Sequence, residues 1–409
     1  MTTMIDPPTT RVSERLKIRF PSKDAFWAAQ AAETAGLATA VMNPERRVIS
    51  VDAPEQALAQ EGFGNSLNLL REKYGAEIVP DFRFDMEEPD IFDPENFGAD
   101  FPDSPSLDNV LELTGAIDAW KESRGSGISI AIVDTGINGS RAEIPPSRRS
   151  AYGWAPEGES AWTDYKGHGT MCATIAAGSR ADGGEFDGVA PEATVMACRT
   201  YFYDTELTAI YQLLRDRALA GEIIVASNSF GMKTGSAPPP PDIDFLDAMR
   251  EAIEAGVFVV FSAGNYHELA GGAPDACGPT SIWGYKCRED VLAVGTCRLD
   301  QTMWEYSSRG PGQFAGTAGH QPKPDVTAPT PQDGRILYGD TVVTMPLGWG
   351  TSGACPQVAG LAALLRSKKP GSSRLHLQNT IRNTALAMDV AYECSGRGLI
   401  NCRDAIAMI

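Results

Sequence analysis

The stretch GTSGACPQVAG at residues 350–360 is followed directly by the apolar run LAALL at residues 361–365. Small residues around one hydroxyl, placed just before an apolar run, predict a tight turn that brings Ser352 to the start of a buried helix. A helix start carries unpaired N–H groups and partial positive charge, so a hydroxyl held there can attack a carbonyl while nearby donors hold the oxyanion. A helix-capping role is the alternative, and this stretch alone leaves both interpretations open.

The composition limits the classes of protein to which the chain can belong. It has 409 residues, 43% of them hydrophobic, and a net charge of −18. This length suffices for two or three domains, and the acidic balance argues against a nucleic-acid or anionic-membrane partner. The N-terminus lacks an apolar signal-peptide segment and no apolar run reaches about 18 residues, so we expect no membrane span and a cytoplasmic location. Export by a route that uses no signal peptide is the alternative.

Changes in composition divide the chain into four segments. Residues 1–14 are rich in Pro and Thr and predict a flexible tail. Residues 15–84 show strand and helix patterns in the order β-α-β-β-α-β, which predicts a small α+β ferredoxin-like domain. Residues 85–105 alternate acidic residues with Pro and Phe, which predicts an exposed acidic linker. Residues 106–409 remain as one large domain.

The large domain alternates apolar, β-branched runs with helical patterns. Its first strand-like run, GISIAIV at residues 127–133, is apolar throughout, as in a strand buried on both faces. This alternation predicts an α/β domain with a parallel sheet and helices on both faces, in which ligand sites lie at the carboxyl ends of the strands. Further strand-like runs occupy 194–197, 222–226, 257–261 and 291–294, and helical patterns occupy 168–178, 207–220 and 245–255.

Three polar residues besides Ser352 occupy positions where such a domain usually has its functional residues. Asp134 ends the first strand, His168 stands between two glycines before an Ala-rich helix, and Asn265 follows the strand at 257–261. A serine nucleophile needs a base, the base needs a carboxylate to fix its tautomer, and the oxyanion needs a donor. Taken one by one, Asp134 and Asn265 are equally explained as turn residues.

The motifs around these residues closely resemble those of the subtilisin family of serine proteases. The family order Asp, His, Ser is present as Asp134, His168 and Ser352. The sequences AIVDTGI at 131–137, GHGT at 167–170 and FSAGN at 261–265 match its Asp, His and oxyanion motifs. GTS followed by A-x-P-x-V-A-G matches the serine motif. The resemblance covers residues from about 106 to 409.

The resemblance implies a serine endopeptidase that hydrolyses peptide bonds through an acyl-enzyme. Ser352 would be the nucleophile, His168 the general base, Asp134 the orienting carboxylate and Asn265 an oxyanion donor. The substrate backbone would pair with Ser229, Phe230 and Gly231, and Ser262, Ala263 and Gly264 would form the opposite wall of the pocket for the residue before the scissile bond. A catalytically silent or permanently inhibited peptide-binding scaffold is the alternative.

The resemblance also implies a role for the N-terminal segment. Family members often carry such a domain as a propeptide that assists folding and then inhibits the enzyme. The chain would thus be an autoinhibited, self-processing zymogen, with residues 15–84 as an intramolecular inhibitor and the processing site in residues 85–105. The implied partners are a protein or peptide substrate and this inhibitor. No cofactor is needed for catalysis, and structural calcium is left open because no ligand series can be assigned.

Departures from the family pattern concern the serine turn and the specificity pocket. Gly353 replaces the usual Met after the nucleophile, which we expect to loosen the turn. The long loop at 266–286 should form part of the specificity pocket, with no residue assigned to its floor, and residues 186–188 are expected to line the substrate further upstream.

The eight cysteines are expected to be reduced. In an oxidising compartment, Cys277 would pair with Cys287, and Cys394 with Cys402. Cys172 and Cys355 lie in apolar helical patterns and are expected to fill the core.

Overall fold

The computed structural model describes residues 14–32, 37–53, 61–86, 106–181, 183–232, 243–312, 321–334, 336, 345 and 347–409. The predicted tail, apart from its last residue, and residues 87–105 of the predicted linker lie outside these ranges. Within the described part of the chain, no helix combines the length and apolar character needed to cross a bilayer.

In its described residues, the N-terminal segment contains a four-stranded antiparallel sheet with two helices. The elements are β1 (Arg15–Arg19), α1 (Lys23–Ala32), β2 (Thr39–Asn43), β3 (Val48–Asp52), α2 (Glu61–Tyr74) and β4 (Glu77–Pro80). The strands are arranged in the order β2-β3-β1-β4, which together with the β-α-β-β-α-β sequence is the ferredoxin-like arrangement. Residues that alternate along β1, such as Ile18, pack with Phe26 and Leu70 of the helices.

The large segment is built on a six-stranded parallel sheet, which confirms the predicted α/β class. Two short strands, β5 (Asp85–Met86) and β9 (Phe230–Gly231), pair with each other outside this sheet. The strands of the sheet are β6 (Ser129–Asp134), β7 (Thr194–Arg199), β8 (Ile224–Asn228), β10 (Phe258–Ser262), β11 (Leu292–Cys297) and β12 (Val326–Pro329). Their order across the sheet is β12-β11-β10-β8-β6-β7.

Helices cover both faces of the parallel sheet. The alternation along β6 separates the two cores, because Ile130 and Ile132 face one layer and Ala131 and Val133 face the other. The first layer contains α3 (Leu107–Leu113), α4 (Ala116–Ala119), α5 (His168–Ala177), α8 (Gly350–Lys368), α9 (Arg374–Thr384) and α11 (Cys402–Met408). The second layer contains α6 (Asp204–Leu219) and α7 (Phe245–Glu254). The short helix α10 (Tyr392–Ser395) precedes α11.

One disulfide joins Cys277 to Cys394, across 117 residues of sequence. The predicted pairs Cys277–Cys287 and Cys394–Cys402 are therefore wrong. Cys287 is buried with its thiol 3.3 Å from the carbonyl of Ile282, and Cys402 is buried in the first core layer. The prediction paired cysteines that are close in sequence. In the structure, the loop that carries Cys277 folds against α10, whereas Cys287 lies in the protein interior.

Candidate active site

Asp134 and His168 form a buried hydrogen-bonded pair. Asp134 ends β6 and His168 begins α5, and the distance from His168 Nδ1 to Asp134 Oδ1 is 2.7 Å. The same carboxylate oxygen accepts the Thr135 N–H at 2.8 Å. Because Nδ1 faces a carboxylate, it carries the proton, and Nε2 is left as the basic nitrogen of the neutral ring. The two residues are only 1% and 2% exposed, so water weakens this bond little.

Asp164 holds the start of the helix that carries His168. Its carboxylate accepts the N–H groups of Gly167 at 2.7 Å and Thr170 at 2.8 Å, and the Thr135 hydroxyl at 2.7 Å. An acidic group at a helix N-terminus satisfies unpaired donors and complements the helix dipole. This residue was not among those predicted from the sequence, although an Asp shortly before an apolar helix is a recognisable capping signal.

The glycine after His168 is required by a close backbone approach. A Cβ atom on Gly169 would lie 2.1 Å from the carbonyl oxygen of Gly136. The turn after Asp134 and the first turn of α5 therefore touch, which brings the carboxylate and the imidazole into contact. This explains physically why glycine follows the histidine in the predicted motif.

Ser352 is the third residue of α8 and is fully buried. Pro356 has no N–H to donate to the Ser352 carbonyl four residues earlier in the helix. The Cys172 thiol lies 3.6 Å from this carbonyl and 4.0 Å from His168 Nδ1. Cys172 thus contacts both residues and ties the serine turn to the histidine helix, so it does more than fill the core.

The two cysteines near Ser352 are poor nucleophiles. Burial raises the pKa of Cys172 well above its usual value and that of Cys355 to about 11. Both thiols are therefore protonated at neutral pH, whereas nucleophilic attack by cysteine needs the thiolate.

Asn265 is anchored beside the serine by Thr351. Its Oδ1 accepts the Thr351 N–H and the Thr351 hydroxyl, both at 3.0 Å. Because a backbone N–H can only meet the amide oxygen, these bonds fix which way the side-chain amide is turned and direct Nδ2, a donor, away from Thr351. The Gly264 N–H lies 3.3 Å from the Thr351 hydroxyl and holds the preceding segment in place.

Gly353 does not leave the loosened turn that we expected. A Cβ atom there would lie 2.3 Å from Thr330 Oγ1 and 3.0 Å from Trp349 Cβ. Thr330 occupies the space of the missing side chain and accepts the Trp349 N–H at 2.9 Å. The turn is therefore close-packed, and the departure from the family residue is compensated by Thr330.

One of the two segments expected to bind substrate pairs with the last described strand of the N-terminal segment. β5 pairs antiparallel with β9, with Asp85 opposite Gly231 and Met86 opposite Phe230. On the other side of the same segment, the Phe84 N–H donates to the Phe202 carbonyl at 2.8 Å and the Asp204 N–H donates to the Phe82 carbonyl at 2.7 Å. Residues 82–86 are thus held as a strand between two edges. One of these edges, residues 202–204, was not predicted from the sequence.

Phe84 fills an aromatic pocket at this position. Its side chain is 2% exposed, and its ring contacts those of Phe230, Phe245 and Tyr285 at centroid distances of 5.3–6.0 Å. Phe186, expected to line the substrate upstream, instead packs in the core layer on the other face of the sheet.

The predicted opposite wall is positioned by the parallel sheet. The Ala263 N–H donates to the Val294 carbonyl at 2.9 Å, and the Ser262 hydroxyl lies 3.5 Å from the carbonyl of Asn228, the residue before Ser229. Ser229 and Ser262 are buried, and Gly264 adopts a left-handed φ of 113° in which a Cβ would lie 2.8 Å from Ser308 Oγ. The two predicted walls therefore follow directly after the carboxyl ends of the neighbouring strands β8 and β10.

Among the described residues, one group of three potential metal ligands has its ligand atoms within 4.8 Å of one another: Asp134, His168 and Cys172. Their contacts are already explained by the carboxylate–imidazole bond and the thiol beneath it. Calcium prefers six to eight oxygen ligands, so this group does not bear on the predicted structural calcium.

Comparison with known proteins identifies the family to which the large segment is similar. The family model described as "Subtilase family" (Peptidase_S8) matches residues 125–398. Subtilisin BL of Lederbergia lenta is 30% identical over 285 residues, covering 69% of this chain and 91% of that protein. Subtilisin E of Bacillus subtilis (strain 168) is 28% identical over 286 residues, covering 69% of this chain and 66% of that protein.

Solved structures share the fold at low sequence identity. Fervidolysin from Fervidobacterium pennivorans, a keratinolytic enzyme related to subtilisin, superimposes with a TM-score of 0.59 at 20% identity, over 97% of this chain and 61% of that one. MycP1 from Mycobacterium smegmatis superimposes with a TM-score of 0.54 at 19% identity, over 80% of this chain and 89% of that one. The resemblance to the subtilisin family that the motifs predicted is confirmed.

Proposed function

Because this chain belongs to the subtilase family and is a subtilisin-like serine protease, we propose that Ser352, His168 and Asp134 are its catalytic triad and that residues 15–86 keep it inactive until they are removed. The main support for the proposed triad is the buried 2.7 Å hydrogen bond between His168 and Asp134. The main support for inhibition by the N-terminal segment is the pairing of Asp85–Met86 with Phe230–Gly231.

In the proposed mechanism, His168 Nε2 takes the hydroxyl proton as Ser352 Oγ attacks the carbonyl carbon of the scissile bond. Asp134 keeps the ring oriented and stabilises the imidazolium that forms. Asn265 Nδ2 and the Ser352 N–H, at the positive end of α8, stabilise the oxyanion. The imidazolium then protonates the leaving amine, and a water activated by the same ring hydrolyses the acyl-enzyme.

Kinetics of peptide hydrolysis test the assigned roles. We expect Ser352→Ala and His168→Ala to abolish turnover above background, and Asn265→Ala to lower kcat by about 100- to 1000-fold, the effect known for such a donor in subtilisin. Thr330→Ser, which keeps the hydroxyl that accepts the Trp349 N–H, serves as a control that retains activity. A loss of affinity with unchanged kcat in Asn265→Ala would contradict the oxyanion role.

The zymogen proposal rests on occupancy of the substrate position. Residues 82–86 are hydrogen-bonded on both edges, which is the β-augmentation mode by which extended peptides bind. A substrate cannot pair with β9 while Asp85 and Met86 do. Release of the N-terminal segment would then uncover the site.

Three versions of the full chain test this arrangement. We expect the wild type to convert itself to a shorter form with a new N-terminus beyond residue 86, and Ser352→Ala to stay intact under the same conditions. Phe84→Ala, which empties the aromatic pocket, should raise the initial rate of fluorophosphonate labelling before conversion, because the blocking strand is held less tightly. An intact wild-type chain that labels at the full rate would contradict autoinhibition and leave the triad proposal standing. A wild type that never labels in any form would instead favour the silent-scaffold alternative.

A further inference from the structure

Lys286 lies on a short segment that packs beside the two proposed walls of the specificity pocket. It belongs to the short 3-10 helix Gly284–Cys287 and is 1% exposed. The residue before it, Tyr285, packs its ring 6.3 Å from Phe230 on one wall and 4.9 Å from Phe261 at the base of the other. The residue after it, Cys287, packs with Ala263 of the second wall. The backbone at Lys286 is therefore fixed close to both strand ends that flank the pocket.

Two of the groups that act electrostatically on Lys286 belong to the serine helix and to the strand in the cleft. Cys355, in the first turns of α8, is one neighbour, and its thiol lies 3.5 Å from the Asn228 carbonyl at the end of β8. Asp85, which occupies the cleft, is another, so the amine senses a charge that lies in the substrate position. Burial lowers the pKa of Lys286 well below its usual value, and a nearby anion opposes that effect.

We propose that Lys286 makes the pocket for the residue before the scissile bond selective for acidic side chains, an inference that rests on the proposed protease function. A negative charge brought close to a buried amine stabilises its ammonium form. A glutamate or aspartate carboxylate entering the pocket supplies such a charge, whereas a neutral amide does not. A lysine or arginine in the same place is repelled.

The register of the strand in the cleft supports an acidic residue at this position. Asp85 and Met86 pair with Gly231 and Phe230, so a peptide in the same register places its next residue opposite Ser229, at the catalytic end. In this chain's own sequence the residue after Met86 is Glu87, and Glu88 follows it. The lysine and the sequence that would be cut in self-processing are thus complementary in charge.

The test compares peptides that differ only in the residue before the scissile bond, with Glu, Gln, Leu or Lys there. We expect the wild type to cleave the Glu peptide with a kcat/KM about 10- to 100-fold above the Gln peptide, as for a hydrogen bond to a charged group. In Lys286→Met this ratio should fall to about 1, with the kcat/KM for the Leu peptide measured as the reference in each variant. Lys286→Arg should keep the preference, and the processed wild type should begin at Glu88.

A matched control removes another buried lysine outside the pocket. Lys323 is 2% exposed and bonds to Asp325 and the Val291 carbonyl; Lys323→Met should lower stability without changing the Glu-to-Gln ratio. A wild type that labels and cleaves the Leu peptide but shows no preference for Glu over Gln would overturn the role of Lys286 alone, even if no variant folds. An unchanged ratio in Lys286→Met would overturn it as well. Absence of both labelling and cleavage would refute the protease proposal itself, and the selectivity with it.

Discussion

Lys17 Nζ, on the central strand of the N-terminal sheet, donates to Asp204 Oδ2 at the start of α6 at 2.8 Å, and both side chains are almost completely buried. The neighbouring outward residues of β1 are also basic. Arg15 bonds to Glu206, and Arg19 bonds to Asp244 at 2.8 Å. The alternation along β1 therefore places apolar residues in the small core and cations against the acidic starts of α6 and α7. This contact between the two units is ionic at its centre.

Lys17→Met should weaken this contact strongly. Removing one partner of a buried pair leaves Asp204 uncompensated, which costs about 3–5 kcal/mol in such pairs. Arg19→Met is the matched control, because Arg19 and Asp244 are partly exposed and such a pair contributes roughly 1 kcal/mol or less. Urea unfolding in a Ser352→Ala background, where self-cleavage is blocked, measures both. Equal losses for the two variants would contradict the central role of Lys17.

The contact should also weaken as pH rises. Burial and the neighbouring Asp204 raise the pKa of Asp81 from its ordinary 3.8 to about 7, although the Thr205 and Ser50 hydroxyls and Lys17 stabilise the charged form. A pKa raised in the folded state contributes stability that is complete below about 4 and is lost as pH rises through about 7. Burial also raises the pKa of Asp204, which acts in the same direction, with Lys17 opposing it.

The pH dependence can be isolated by replacing Asp81 with its neutral isostere. In the Ser352→Ala background, Asp81→Asn should gain stability relative to Asp81 between pH 4 and 7, by up to about a factor of ten in the unfolding equilibrium per pH unit, and then level off. Equilibrium unfolding at a series of pH values gives this difference directly. A difference that stays flat from pH 4 to 8 would show that Asp81 does not take up a proton when the two units pack.

Gly353→Ala should destabilise the protein although alanine is the better helix former. The added methyl would meet Thr330 Oγ1 at 2.3 Å, and forcing extra volume into a packed site costs about 1–3 kcal/mol. Thr330→Ala should lose less stability in the Gly353→Ala background than in the wild type, because it removes the clashing atom. Thermal unfolding of the four proteins in this double-mutant cycle would reveal the coupling, and strict additivity would argue against the packing described here.

Peptide mapping without reduction should recover Cys277 linked to Cys394 and the other six cysteines as thiols. The bond closes a loop of 117 residues, so Cys394→Ser should lower the unfolding free energy by several kcal/mol, roughly 4–5 by the loop-entropy relation. Cys402→Ser, at a buried thiol outside the disulfide, is the control whose bond pattern should not change. Recovery of a Cys277–Cys287 peptide would restore the pairing expected from sequence.

The sequence was most informative where local pattern and burial agree. The run at 127–133 is apolar at every position because β6 is covered on both faces, and the segment 350–365 combines small residues with a long apolar run because it crosses the core as α8. The strand-end positions of Asp134 and Asn265 follow from the same alternation. The sequence marks these two positions because each follows a buried strand, but it leaves a turn role open for each residue taken alone.

The features that the sequence did not reveal depend on contacts between distant segments. The capping position of Asp164 is visible in the sequence, but its bond to Thr135 depends on the contact between the turn after Asp134 and α5. The role of Thr330 depends in the same way on its approach to Gly353. The edge at 202–204 and the disulfide likewise depend on how loops approach each other. Periodicity carries no information about such contacts, because it reports which face of an element is buried and not what covers it.

Mapping the site of fluorophosphonate modification by mass spectrometry tests the central claim most directly, namely that the Asp134–His168 pair activates Ser352. After the N-terminal segment is removed, we expect one adduct on the peptide that contains Ser352, none in Ser352→Ala, and a labelling rate at least 1000-fold lower in His168→Ala. Cys172→Ala should still give the adduct, since its thiol contacts the site without supplying the nucleophile. An adduct on another residue, or undiminished labelling without His168, would contradict the claim.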